Sequence, residues 1–67
     1  MNLKIGNFYI DHYDILHKMV SYEPKTSPWV FKSDKNKLFN KYGLSAASKN
    51  FDLIKEVTKE EHSEYFL

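Results

Sequence analysis

Apolar and polar positions alternate most clearly over residues 50–57. Phe51, Leu53 and Val57 fall on one side of a period-two pattern, interrupted by Lys55, with Asp52, Ile54 and Glu56 on the other. A strand apolar on one face needs partners to cover it, and the earlier segments are read as supplying them. Phe8, Tyr9 and Ile10 form a short first strand after a turn at Gly6 and Asn7. Asp11 and Asp14 then bracket a turn in which their carboxylates can bond the local backbone. Residues 15–22 form the second strand, although Leu16, Met19 and Val20 also match helical spacing. The uneven alternation there requires two-sided burial or a bulge.

Two prolines, Pro24 and Pro28, mark the next loop, since neither can donate to a ladder. Residues 29–32 read as a third strand with Trp29 and Phe31 on one face. Residues 33–37 are a polar loop, and residues 38–42 a fourth strand ended by Gly43. Residues 44–49 are loop. Thr58 and Glu61 match a capping box, which predicts a short helical turn in the tail. Five short strands between polar loops predict an all-β meander. In 67 residues it would curl into a small, partly open five-stranded barrel, limiting its exposed edges. The barrel domain is placed at residues 1–57 and an acidic, aromatic tail at 58–67.

Lys4, Ile5 and Gly6 with Tyr9, then Trp29, Val30 and Phe31, then Phe51, Asp52, Leu53 and Ile54 occur in an order that resembles small SH3-like β-barrel accessory proteins of tailed bacteriophages. The resemblance spans residues 3–57 and leaves out the Pro24–Pro28 turn and the tail. It implies a non-enzymatic accessory protein acting on a host component in the host cytoplasm, and carries over no functional residues.

Composition narrows the chemistry. A chain this small buries only about 60% of its unfolded surface, so most of its eleven aromatic rings are expected inside. Cysteine is absent, which removes disulfides and thiolate metal sites and fits a cytoplasmic setting. No apolar run suits a secretory signal or a membrane span. All ten basic residues are lysine, so bidentate arginine recognition is missing. The net charge of +1 hides a basic middle: residues 25–49 carry six lysines against Asp34 alone, while residues 50–67 carry five acids against two lysines.

Asp11, His12, Asp14 and His17 invite a metal reading, but an odd separation sends His12 and His17 to opposite faces of a strand. His17 is expected at the surface, no metal or cofactor is assigned, and no catalytic motif is found. The favoured reading is a non-enzymatic interaction protein that binds and inhibits a host protein. Its candidate surface comprises Tyr22, Trp29, Lys32, Lys35 and Lys37, with Tyr65 and Phe66 of the tail. A rival is single-stranded nucleic-acid binding, with aromatic faces for stacking and Lys32, Lys35, Lys37, Lys41 and Tyr42 as its residues. A third reading is an assembly subunit forming homo-oligomers. The tail either docks on its own barrel, frays, or seats on a partner.

Overall fold

Two short turns and two longer loops fold the chain into five antiparallel strands forming a single half-barrel sheet, ordered β4-β3-β2-β1-β5. The computed structural model describes all residues from Met1 to Leu67. The strands are β1 (Phe8–Asp11), β2 (Leu16–Tyr22), β3 (Phe31–Ser33), β4 (Leu38–Phe39) and β5 (Leu53–Val57). The only helical pieces are 3₁₀ turns at Pro24–Thr26, Lys49–Phe51 and Ser63–Phe66. The all-β expectation holds, and residues 16–22 are strand rather than helix.

A bulge resolves the uneven pattern of β2. Its register against β3 runs Met19↔Ser33, then Ser21↔Lys32 and Tyr22↔Phe31, so β2 carries one extra residue between Met19 and Ser21. That extra residue places Met19 and Tyr22, three apart, on the same concave face. Met19 is fully buried there, whereas Tyr22 reaches the rim and meets Phe31 with ring centres 5.0 Å apart. Leu3, Tyr9, Met19, Phe31, Phe39 and Leu53 make up the concave core.

Residues 53–57, where alternation is clearest in the sequence, form an edge of the sheet, and β1 beside them is an interior strand. β5 pairs only with β1 and is an edge, while β1 lies between β2 and β5 with Tyr9, Ile10 and Asp11 all buried. Tyr9 faces the core. Phe8 and Ile10 face the other way, and the tail covers that side. Phe66 meets Phe8 edge-on at 4.8 Å, and the Tyr65 hydroxyl reaches Asp14 Oδ1 at 3.5 Å. Ile10 is buried on this strand. The tail turn starts with Thr58, whose Oγ1 accepts the Glu61 N–H at 3.3 Å, the capping interaction expected from sequence.

Several strand boundaries differ from the sequence reading, and local polar bonds explain them. Asn40 Oδ1 accepts the N–H groups of Tyr42 and Leu44 at 2.9 and 3.0 Å, curling the chain after Phe39 and cutting β4 to two residues. Trp29 precedes β3, because its N–H bonds Thr26 O at 2.9 Å. Phe51 belongs to the 3₁₀ turn that Ser48 Oγ caps, so β5 begins at Leu53. Gly43 brings the chain back to β5, where its carbonyl accepts the Leu53 N–H at 2.9 Å. Only three of the eleven rings, Tyr9, Phe31 and Phe39, are buried, which corrects the expectation that most would be. The reason is that a half-barrel leaves its rim and convex face uncovered except where the tail lies.

Candidate functional site

The β2 bulge and the Asn40 turn together build a groove at the rim. Tyr22 comes to it from the end of β2, Pro24, Pro28 and Val30 from the β2–β3 loop, and Lys41 and Tyr42 from the turn after β4. Its volume is about 390 Å³. A second limb of about 470 Å³ runs past Asn2, Leu3 and Phe31, sharing Tyr22, Lys41 and Tyr42 with the first. Tyr22 and Tyr42 are each 54% exposed, so two phenol rings are offered to solvent where the core opens.

The loop wall is held by its own bonds. Glu23 N–H donates to Val30 O at 2.7 Å, and Trp29 N–H to Thr26 O at 2.9 Å. The Thr26 hydroxyl lies 3.0 Å from Glu23 O and 2.6 Å from Trp29 O. The Glu23 carboxylate accepts the Lys25 N–H at 2.9 Å. The floor is the core itself, since Phe31 is buried and Val30 packs against the core cluster. A groove with a bonded wall and a packed floor keeps its shape without a ligand, which lowers the entropy cost of binding.

Of the residues singled out in the sequence, Tyr22, Lys41 and Tyr42 meet here. Trp29 is half-buried and does not line the groove. Lys32 is exposed on β3. Lys35 donates from Nζ to Leu16 O at 3.0 Å and lies 3.6 Å from Asp34. Lys37 is spread over the Phe51 ring at 4.4 Å. Phe66 packs on Phe8 of β1, and Tyr65 reaches Asp14 in the β1–β2 turn. The chain matches no protein-family model, no curated protein and no solved structure. No helix is long and apolar enough to cross a membrane.

One cluster escaped the sequence reading. His17, expected at the surface, is 1% exposed and joins Asp11 to Ser33 inside the barrel. Its Nε2 lies 2.8 Å from Asp11 Oδ2 and its Nδ1 3.0 Å from Ser33 Oγ. Asp11 Oδ1 accepts the N–H groups of Tyr13 and Ile15 at 2.7 and 3.1 Å. Ser33 Oγ accepts the Lys35 N–H at 3.2 Å. One proton arrangement satisfies every atom: Nε2–H donates to Asp11 and the Ser33 hydroxyl donates to Nδ1.

These are the residue types of a nucleophilic relay, yet no cavity reaches them and Ser33 Oγ is occupied by backbone donors. Their arrangement fastens the β1–β2 turn to the β3–β4 turn. The signal in the sequence was the spacing of Asp11 and His17, read as a metal pattern. No three His, Asp or Glu side chains converge to hold a metal ion.

In the tail, the Tyr65 phenol is pushed above its ordinary 10.0 by partial desolvation, with the Asp14 carboxylate adding to it. Glu64 is drawn below its ordinary 4.5, chiefly by its own backbone N–H and further by His62.

Proposed function

We propose that this protein is a non-enzymatic interaction domain that binds a protein partner through the rim groove and modulates it. The resemblance of the sequence to phage accessory barrels favours a host protein as that partner. The observation that carries the reading is the placement of Tyr22 and Tyr42, each 54% exposed, together beside a wall held by its own hydrogen bonds. Tyrosine gives a large, rigid contact at low entropy cost, and interface hot spots are rich in it. Prolines on the wall add stiffness without unsatisfied donors.

Of the nucleic-acid rival's lysines, Lys35 and Lys37 are engaged on the β3–β4 turn, Lys32 is exposed on β3 outside the groove, and Lys41 alone lines the groove with the exposed rings. A single cation gives little grip on a phosphate chain. Affinity capture from nuclease-treated host lysate tests the reading, with wild type and the Tyr22→Ala/Tyr42→Ala variant as baits. A protein captured by wild type and lost with the variant is expected. Capture that survives the variant removes the groove, and capture that needs nucleic acid removes the protein partner.

A further inference from the structure

Lys41 is the only charged side chain lining either limb of the groove. Its ammonium lies 5.1 Å from the centre of the Tyr42 ring and has no carboxylate partner, since the only lysine–carboxylate pair is Lys35 with Asp34. Glu23, the acid nearest the wall, is turned into its own loop by the Lys25 N–H. A cation resting on an aromatic face beside an apolar wall, with no acid to neutralise it, is prepared to receive a carboxylate. Beside it, Pro24, Pro28 and Val30 offer apolar surface that a methylene or ring could cover. The first limb falls within the roughly 300–1,000 Å³ of pockets that enclose a ligand.

Resting on the groove reading above, we infer that the partner presents an extended segment carrying an acidic residue next to an apolar one. The apolar side chain packs on Pro24, Pro28 and Val30, and the carboxylate meets Lys41. Tyr22 and Tyr42 flank the segment on either side of the ion pair. The acid is recognised by a single ammonium, so Asp and Glu both serve. The protein's own acidic tail has a related composition, but its Phe66 is engaged on Phe8.

The test is selection of a random decapeptide library displayed in vitro on immobilised wild type, Lys41→Met, Lys41→Arg and Tyr42→Ala. Lys41 and Tyr42 side chains are exposed, so these variants are expected to fold, which circular dichroism checks. Wild type should enrich peptides with Asp or Glu beside an apolar residue. Lys41→Met should weaken the selected peptides roughly three- to tenfold, the size of one partly exposed charge-assisted contact. Lys41→Arg should keep most of their affinity.

Enriched peptides without an acid, lost on Tyr42→Ala but indifferent to Lys41→Met, would overturn the inference and leave the groove standing. Peptides that bind Tyr42→Ala as well as wild type would remove both. So would a library with no enrichment, or oligothymidylate binding in place of peptides.

Discussion

The His17 ring lies 2.8 Å from the Asp11 carboxylate, and neither reaches solvent. Twelve residues are buried in all, and Asp11, His17 and Ser33 are three of them, so a quarter of the interior is this polar link. Removing the ring strands a buried carboxylate and a hydroxyl together.

His17→Ala is therefore expected to cost about 3 kcal/mol or more, which is comparable to the whole stability of a small domain. Ser33→Ala should cost about 1–2 kcal/mol, because the Lys35 N–H loses its acceptor as well. Urea unfolding of both variants and of their double mutant checks this. A double-mutant coupling near zero would mean that the three residues do not act as a unit.

Gly43 and Gly6 make a controlled pair. Both have positive φ, +93° and +89°, so alanine is strained at either. A Cβ on Gly43 would also sit 3.2 Å from Leu53 Cβ, an atom fixed by the backbone, whereas at Gly6 nothing lies within 4 Å. Gly6→Ala should cost about 1 kcal/mol and Gly43→Ala clearly more, roughly 2–3 kcal/mol. Thermal unfolding separates them, at about 4–8 °C per kcal/mol in a domain of this size.

The strand reading succeeded for β1, for β2 once a bulge accounts for its uneven pattern, and for the body of β5. It failed where one side chain bonds the backbone. Asn40 ends β4 early, and Ser48 delays β5, through bonds that any Asn or Ser in a loop could make or not make. The clamp was invisible for a related reason. Asp11 and His17 are near in sequence, but Ser33 joins them only through the β2–β3 pairing, and burial of all three depends on the curl of the sheet. Tyr22 was legible as a candidate, whereas its position beside Phe31 depends on the bulge.

Tail docking should depend on pH at both ends of the scale. A raised Tyr65 means that the docked tail favours the neutral phenol, so the phenol's contribution to docking is fully present below the ordinary 10.0 and is lost as pH climbs through the raised value. A lowered Glu64, held by its own backbone N–H and by His62, means that the turn carrying Tyr65 and Phe66 gains from the carboxylate above the ordinary 4.5 and loses that gain as pH falls through the lowered value. The ring-current shift between Phe8 and Phe66, followed by NMR, should hold across the middle range and decay at both extremes. Asp14→Asn should bring the Tyr65 phenol back towards 10.0, which an ultraviolet tyrosinate titration reads directly.

Tyr22→Ala/Tyr42→Ala should leave stability within about 1 kcal/mol of wild type, since both rings are largely exposed. A much larger loss in urea unfolding would make the two tyrosines part of the core rather than a binding surface.

The most direct measurement is amide chemical-shift mapping of the labelled protein with the partner recovered by capture. Shifts should concentrate at Tyr22, Val30 and residues 40–42, leaving β5 and the tail unmoved. Shifts confined to the exposed edge of β5, to Lys32, Lys35 and Lys37, or to Tyr65 and Phe66, with the groove silent, would contradict it.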